Sequence, residues 1–192
     1  MAKKDRPVKI ERDSRYPTKM QIALTLLHAF KTVHGTIKIK YVLADALYGE
    51  AKFMDKASHI FDITQVISQL HENPLIDYKG KKRHLKDYFN TTNKGVRVTV
   101  RVRGGEEVKA TVSSARLKVL AQGKKRMVVT LKYEYESDYR YLVATDMTWR
   151  TLDVVQAYTF RWLVEVFFED WKLYEGWGVR PNNWMKRDQA VA

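Results

Sequence analysis

The spacing of hydrophobic residues changes along the chain, and each change predicts a different element. Apolar residues recur at helical intervals after Thr18, a good N-cap, so we predict a helix over 18–34 that a glycine ends. Segment 37–45 is rich in β-branched residues and predicts a strand. A short helix is expected over 50–59, and a second strand over 61–70.

A strictly alternating segment lies in the middle of the chain. Across 96–103 the valines fall on one face and the polar side chains on the other, as expected of a half-buried strand. Glycines then indicate a turn, and further strands are predicted over 108–112, 116–120 and 127–135. Together these segments predict a small antiparallel β unit over 76–136.

A long amphipathic helix is predicted near the C-terminus, after a strand over 139–146. We expect this helix to open at Thr151 and to end at the glycines at 176 and 178. In an ideal helix, four of its polar side chains lie within roughly 60° of one another. These are Tyr158, Arg161, Glu165 and Lys172. The opposite face is apolar, and we expect it to pack against the core. It carries Leu163, Phe167, Trp171 and Tyr174.

The polar stripe of this helix has two interpretations. Amphipathic helices normally turn charged residues toward solvent, and Arg161 with Glu165 forms an i, i+4 pair that supports a helix by itself. Alternatively, a carboxylate beside Arg, Lys and Tyr suits a metal-dependent site that handles phosphate. The spacing fits both, so other features have to separate them.

Charge is distributed very unevenly along the chain. The net charge is +13, and the segment 79–132 holds 16 Lys and Arg against three acids, which leaves the remainder neutral. A basic block within a neutral chain favours a polyanionic partner, above all nucleic acid, over a merely soluble cationic surface. There is no cysteine, which suits a reducing cytoplasm, and neither a signal peptide nor a membrane span is predicted.

Asp45 and Glu165 are the two acids in positions that suggest chemistry. Asp45 ends a predicted strand, and carboxylates at that end of an α/β sheet face the crevice where ligands bind. Oxygen ligands of this kind suit Mg²⁺ or Mn²⁺. Two such ions about 4 Å apart can activate an attacking oxygen and stabilise the leaving oxygen of a phosphodiester. That chemistry usually uses three carboxylates, and we find two in convincing settings.

These residues resemble the motifs of a known family. Tyr158-x₂-Arg161-x₃-Glu165-x₆-Lys172 is similar to the Tyr-Arg-Glu-Lys signature of DDE-type insertion-sequence transposases. The segment that begins at Asp45, with an aromatic residue three positions later, resembles the second-Asp segment of the same family. The resemblance covers about 18–178 of the chain. It implies an α/β fold: a ribonuclease H-like core with a basic antiparallel β insertion before the final catalytic helix.

The resemblance also implies roles for individual residues. Asp45 would be the second metal-binding acid and Glu165 the third, while three side chains of the signature would contact phosphates of the transposon end. These are Tyr158, Arg161 and Lys172. The arginines of the alternating strand are well placed for backbone phosphates, although charge on an exposed strand also prevents aggregation. These are Arg97, Arg101 and Arg103. The implied partners are double-stranded DNA, as transposon ends and target, and a homodimer partner or a full-length transposase.

The chain departs from the family pattern at its beginning and its end. The family's first Asp lies on a strand well upstream of helix 18–34, and Asp5 and Asp13 are poor substitutes for it. We therefore expect an incomplete core, a fragment that cannot cut or join DNA alone. The predicted organisation is a charged tail, a first core part, the β insertion, a last core part and a polar tail. Their bounds are 1–17, 18–75, 76–136, 137–178 and 179–192.

Two other functions stay open at this point. The chain could be a non-catalytic nucleic-acid-binding protein in which Glu165 serves only as the ion-pair partner of Arg161. It could also be a truncated protein that mixes with a full-length transposase and inhibits it. A dependence of DNA affinity on Mg²⁺ would separate the first of these from the catalytic interpretation.

Overall fold

The computed structural model describes residues 13, 15–62, 64–71, 74–102 and 105–174. In these residues it has a mixed α/β fold, with five α-helices and one eight-stranded, mostly antiparallel sheet. The helices are α1 (Lys19–Val33), α2 (Ala51–Ile60), α3 (Leu85–Thr92), α4 (Thr151–Thr159) and α5 (Trp162–Tyr174). The strands are β1 (Tyr41–Leu43), β2 (Gln65–Gln69), β3 (Leu75–Tyr78), β4 (Lys81–His84), β5 (Val96–Arg101), β6 (Glu107–Val119), β7 (Lys124–Tyr133) and β8 (Arg140–Ala144).

The sheet runs in the order β1-β2-β8-β7-β6-β3-β4, and β5 pairs with the first half of β6. Only β1 and β2 are parallel among the described strands, and α2 connects them. A parallel pair needs such a crossover connection, whereas the antiparallel strands are joined by turns. Strands of the predicted β insertion and strands of the predicted core therefore share one continuous sheet. The proposed domain bounds stay a prediction about the sequence.

Helix α1 begins where the sequence predicts. Thr18 is its N-cap: the Gln21 backbone N–H donates to Thr18 Oγ1 at 3.0 Å, and the Thr18 N–H donates to Gln21 Oε1 at 2.6 Å. This reciprocal capping box satisfies two donors that a helix start would leave unpaired. Helix α2 also confirms its prediction, with Glu50 as N-cap.

Each face of the sheet covers a separate core. Helices α2 and α3 pack on one face, where Met54, Leu85 and Val66 are fully buried. Helix α4 packs on the other face, where Val154 and Leu131 are fully buried. The alternation of side chains along the central strands supplies both cores, so the sheet is a middle layer along most of its length.

The predicted break inside β6 is wrong. The sequence suggested two strands, 108–112 and 116–120, but β6 is a single strand that pairs with β7 through Ser113 opposite Thr130 and Ser114 opposite Val129. Small hydroxyl side chains fit a pleated sheet without interrupting its ladder, so two serines are not a turn signal here. Strands β1 and β2 are shorter than the predicted segments 37–45 and 61–70.

The single long helix predicted from Thr151 is also wrong. Helix α4 ends at Thr159, and α5 starts at Trp162. Between them the Phe160 N–H donates to the Ala157 carbonyl and the Arg161 N–H to the Tyr158 carbonyl, the tighter i to i+3 pattern. Thr159 Oγ1 also donates back to the Gln156 carbonyl at 2.7 Å, a contact that weakens and bends helices. The predicted helix end at 176–178 lies outside the described residues.

The apolar face of α5 is not packed as the sequence predicted. No residue of α5 is buried, and Phe167 is 58% exposed. The helix therefore leaves the sheet at the turn after α4 and carries its hydrophobic residues into solvent within the described part of the chain. Periodicity predicts that a face is apolar, but it does not say what covers that face.

An ion pair joins α2 to the hairpin of β6 and β7. Arg126 Nη2 donates to Asp55 Oδ1 at 2.6 Å, and Lys124 Nζ contacts Asp55 Oδ2 at 2.6 Å. The Arg126 side chain is only 4% exposed, and its Nε also donates to Gln122 Oε1 at 3.2 Å. Burial opposes ionisation of Asp55, but the hydrogen bonds from Lys124 and Arg126 outweigh it and lower the pKa of the carboxyl.

In the described residues, no helix combines the length and apolar character that a membrane crossing needs.

Candidate functional site

Asp45 lies just beyond β1, at the carboxyl end of the parallel pair. Its carboxylate Oδ1 accepts the Ala46 N–H at 2.7 Å and caps a 3₁₀ turn at Ala46–Tyr48, while its carbonyl accepts Ser68 Oγ at 2.9 Å. The side chain is exposed. These bonds fix the backbone of the turn and use one of the two carboxylate oxygens, at the sheet edge where the sequence predicted a ligand site.

A glycine lets this turn approach β2 closely. A Cβ atom on Gly49 would lie 2.7 Å from the Gln69 carbonyl oxygen, closer than side-chain carbons come to backbone oxygen. The Gly49 carbonyl also accepts a hydrogen bond from the Gln122 side chain. The turn after Asp45 is thus held against the end of β2, and any side chain at position 49 would push the two apart.

Tyr158 reaches the same end of β2 from the other face of the sheet. It is 3% exposed, and its hydroxyl donates to Gln69 Oε1 at 2.9 Å. Burial raises the pKa of this hydroxyl. Arg161 and Arg140 act to lower it, and the Asp45 carboxylate acts to raise it. Asp45 is therefore close enough to Tyr158 to act on its ionisation, although the two residues are far apart in sequence.

Arg161 connects Tyr158 with Glu165. It stands in the turn between α4 and α5, with its guanidinium carbon 5.9 Å from the centre of the Tyr158 ring, within cation–π range. Its Nη2 donates to Glu165 Oε1 at 2.6 Å, and the two side chains are 29% and 56% exposed. We call Asp45, Tyr158, Arg161 and Glu165 the acid–tyrosine cluster.

Lys172 stands apart from the acid–tyrosine cluster. It is exposed and lies seven residues beyond Glu165, about 10 Å farther along α5. Because seven residues make nearly two turns, Glu165 and Lys172 face the same way. The stripe expected from one continuous helix therefore survives only within α5. Tyr158 sits in α4, and Arg161 joins the cluster through the turn rather than through helical spacing.

The cluster contains oxygen ligands for a metal ion, but only two carboxylates. Among the residues that the structure describes, no three His, Asp or Glu side chains come together in a metal-binding arrangement. Asp45 has one carboxylate oxygen bonded to a backbone N–H, and Glu165 has one bonded to Arg161. Each keeps a second oxygen, and hard cations such as Mg²⁺ or Mn²⁺ prefer such ligands. The donor chemistry fits, while a third carboxylate is lacking in the described part.

A second group of charged and aromatic residues supports the cluster from behind. Arg140 forms an ion pair with Glu136 and lies 5.7 Å from the centre of the Tyr133 ring. Burial, the largest influence, raises the pKa of Tyr133 to about 12, so this phenol stays protonated near neutral pH. Burial raises the pKa of Tyr158, and Arg140 lies near enough to oppose part of that rise. The guanidinium of Arg140 therefore provides a positive charge near the hydroxyl of Tyr158.

Sequence reasoning missed Gln69 and Arg140. Arg140 begins a strand whose other residues are apolar or aromatic, and Gln69 ends a strand that is mostly buried. A polar residue in such a strand is the signal that could have found them. The signal would not have shown their partners, because Gln69 bonds to Tyr158 across the fold.

The predicted DNA-binding arginines lie on an exposed face of β5. Arg97 and Arg101 point to solvent while Val100 between them is buried, which confirms the predicted alternation. Arg101 approaches Glu107 on β6 at 4.0 Å, with both side chains about two-thirds exposed. Such a pair is weak and leaves the arginine available. Arg103 lies outside the described residues.

Comparison with known proteins adds no family. No protein-family model matches the chain, and no curated protein matches it with significance. The acid–tyrosine cluster and the distribution of charge are therefore the features from which a function can be inferred.

Proposed function

We propose that this chain forms the catalytic-core region of a DDE-type insertion-sequence transposase, with a ribonuclease H-like core. The acid–tyrosine cluster is the observation that carries the proposal. Tyr158 connects two acids from distant parts of the chain: the Asp45 carboxylate acts on its pKa, and Arg161, which lies over its ring, is bonded to Glu165. Residue types and signature spacing agree with the family, and contacts in the fold join Tyr158 to Arg161 and Arg161 to Glu165.

The order of elements supports the ribonuclease H-like assignment. A parallel unit of β1, α2 and β2 comes first, with Asp45 just after β1. A basic antiparallel extension follows, and the chain then returns through β8 beside β2 to the helices that carry Tyr158 and Glu165. This is the sequence of parts that the family resemblance implies: core, β insertion, core.

In the proposed reaction Asp45 and Glu165 hold the divalent ions, Mg²⁺ or Mn²⁺. When bound, the ions would activate an attacking oxygen and stabilise the leaving oxygen of a phosphodiester. To hold an ion, Glu165 would separate from Arg161, and an exposed ion pair allows this at little cost. The freed guanidinium fork then suits a phosphate oxygen, with Lys172 farther along α5 as a second phosphate contact. Buried Tyr158 positions Arg161.

The proposed partner is double-stranded DNA, as transposon ends and target, with the reducing cytoplasm as the proposed location. The exposed arginines of β5 would contact backbone phosphates and position the duplex. A homodimer partner or a full-length transposase would supply what the two-acid site lacks. We expect the 192-residue chain alone to bind DNA without cutting it.

Iron-directed cleavage tests whether the two acids share one ion. Fe²⁺ takes the place of Mg²⁺ in oxygen sites, and with ascorbate and peroxide it cuts the backbone next to its ligands. We expect cuts near both Asp45 and Glu165 that Mg²⁺ suppresses. Asp45→Asn should abolish both sets of cuts, whereas Glu169→Gln, one turn beyond Glu165, should abolish neither. Cuts at one acid only, or cuts that persist in Asp45→Asn, would contradict a shared site.

The ion pair between Arg161 and Glu165 favours one alternative, a non-catalytic nucleic-acid-binding protein. At 2.6 Å, Glu165 already has a cationic partner. DNA affinity measured with and without Mg²⁺ separates the two functions. The transposase proposal expects Mg²⁺ to strengthen binding in the wild type but not in Glu165→Gln, and an effect of Mg²⁺ that is equal in both proteins favours the alternative.

Inhibition of a full-length transposase, the remaining function, would appear as reduced excision on co-expression.

A further inference from the structure

A cleft opens directly beside the acid–tyrosine cluster, on the sheet face that carries α3. Its volume is about 720 Å³. Ala46, the residue after Asp45, and Gln69, the hydrogen-bond partner of Tyr158, form one end of its lining. Lys86 and Asn90 line it from α3. Since these two residues are one helical turn apart, both face the cleft.

A second, smaller cleft of about 200 Å³ continues the first. Asn90 and Tyr139 line both, so the clefts adjoin, and the second adds Lys94 and Thr130. We call the two together the α3 groove. The groove leads from Asp45, along α3, toward β7 and the basic half of the sheet.

The charges along the α3 groove are mostly positive. Lys86 and Lys94 line it, and Lys132 Nζ lies 5.4 Å from the centre of the ring of Tyr139, a residue that lines both clefts. Asp138 is the one acid among the lining residues, and it accepts a hydrogen bond from Ser137. A negatively charged ligand in this groove would meet the ammonium groups of Lys86 and Lys94, with that of Lys132 nearby against Tyr139.

The positive charge continues beyond the groove onto the exposed face of the sheet. Thr111 on β6 pairs with Lys132 on one side and with Arg97 on the other, so all three side chains point to the same face. Arg97 and Lys132 are then about 10 Å apart, two strand spacings. Lys109 lies on the same face, two residues from Thr111.

We propose that the α3 groove holds one DNA strand by its phosphates and leads that strand from the exposed arginine face to Asp45. The inference rests on the proposed function, which supplies the reason for a phosphodiester to be near Asp45. From Lys86 to the end of α3 at Thr92 the helix covers roughly 9 Å, and Lys94 lies two residues farther, so the two lysines can contact different phosphates of one strand. The lysines contact phosphates, and Asn90 donates from between them.

Charge removal in the groove tests the proposal against charge removal elsewhere. The groove variant is Lys86→Gln with Lys94→Gln, and its control is Lys52→Gln with Lys125→Gln, two exposed lysines outside the groove lining. Lys125 lies on β7 like Lys132, but about 23 Å along it. Both variants lose two charges, so long-range attraction falls equally. The readout is anisotropy of a labelled duplex and of its single strand over a series of salt concentrations.

We expect the groove variant to bind at least about tenfold more weakly than the control, with a salt dependence reduced by about two ion equivalents. Equal affinities and equal salt slopes for the two variants would overturn the groove assignment. If displacement by polyglutamate matched displacement by unlabelled DNA of equal charge, the groove would suit an acidic protein instead, and the proposal would fall.

A crosslink gives a second readout that does not depend on charge. Because the chain has no cysteine, Asn90→Cys places a single thiol in the groove, and Lys125→Cys places one outside it. DNA with a thiol tethered to one phosphate through an activated disulfide should crosslink to the first variant and hardly at all to the second. Equal yields would contradict the proposed path.

The experiments distinguish a wrong groove proposal from a wrong proposed function. A wild-type chain without measurable DNA affinity would contradict both. A wild-type chain that binds DNA, gives iron-directed cuts at Asp45 and Glu165, and shows equal affinity for groove and control variants would contradict the groove alone.

Discussion

Two acid–arginine pairs of this protein have similar geometry and opposite surroundings. Asp55 and Arg126 meet at 2.6 Å, and so do Glu165 and Arg161. In the first pair the arginine is 4% exposed and the acid 30%, whereas in the second they are 29% and 56% exposed. A buried pair is hard to separate, because each partner alone would be an uncompensated charge. An exposed pair separates at little cost, so its acid can change partners.

The surroundings decide which pair can take part in chemistry. Lys124 and Gln122 complete the contacts of Asp55 and Arg126, which join α2 to the β6–β7 hairpin. Glu165 stands on a helix with no buried residue, and its carboxylate accepts a hydrogen bond from Arg161. The pair at Asp55 is therefore structural, and the pair at Glu165 is the one that the proposed function uses.

The largest expected effect on stability comes from breaking the ion pair of Asp55 and Arg126. Asp55→Asn removes the charge opposite Arg126 while keeping the size of the side chain, and we expect it to lower the free energy of unfolding by about 3 kcal/mol. The matched change Glu165→Gln should lower it by less than about 0.5 kcal/mol. Urea denaturation of the three proteins measures both values. Equal losses in the two variants would remove the distinction between the pairs.

Helices α4 and α5 extend the comparison to apolar side chains. Val154 on α4 is fully buried, so Val154→Ala should cost about 2 kcal/mol of unfolding free energy through lost burial and a small cavity. Phe167 on α5 is 58% exposed, and Phe167→Ala should cost less than about 0.5 kcal/mol although it removes more atoms. Thermal or urea unfolding checks the order. A larger loss at Phe167 would mean that α5 packs on something in solution.

Local signals predicted local features of this fold. The capping box at Thr18, the start of α2 and the alternation of β5 follow from neighbouring residues, and the structure confirms them. The break after Thr159 could not be predicted from periodicity, because residues on both sides of the turn follow the same helical period. Its cause is a set of short-range hydrogen bonds that no spacing displays.

The sequence could propose the candidate site as a set of residues, which stays a prediction, but not as an arrangement. Spacing and residue type selected Asp45, Tyr158, Arg161 and Glu165. The contact of Tyr158 with Gln69, and the burial that makes Tyr158 a support rather than a surface residue, depend on how α4 packs on the sheet. The exposure of α5 was missed for the same reason, since burial is decided by tertiary neighbours.

The hydrogen bond of Tyr158 gives a smaller test of the site. Tyr158→Phe leaves Gln69 Oε1 without its donor in a largely buried setting, and we expect a loss of about 1 kcal/mol in unfolding free energy. Tyr174→Phe is the control, because Tyr174 is 81% exposed and should cost almost nothing. DNA affinity should fall with Tyr158→Phe if the tyrosine positions Arg161. Unchanged stability would show that the bond contributes nothing.

Acid sharpens the comparison by titrating the buried pair without a mutation. The pKa of Asp55 is lower in the folded chain than in the unfolded chain, because hydrogen bonds to Lys124 and Arg126 outweigh the effect of burial. Its contribution is therefore complete above the unfolded pKa of about 3.9 and is lost as pH falls through the folded value. Only part of this contribution of Asp55 is lost before protonation of other carboxylates unfolds the protein. Between pH 5 and pH 3, roughly, stability should fall less steeply in Asp55→Asn than in wild type.

The smallest expected effect concerns the exposed pair itself. A double-mutant cycle with Arg161→Ala and Glu165→Ala should give a coupling energy of about 0.3–0.5 kcal/mol at low salt, and high salt should remove it. The reason is that water screens both partners and that each remains solvated when the other is gone. A coupling above about 2 kcal/mol would place this pair beside Asp55 and Arg126 as a structural element. Glu165 would then not be free to bind a metal ion, and the non-catalytic function would gain the stronger support.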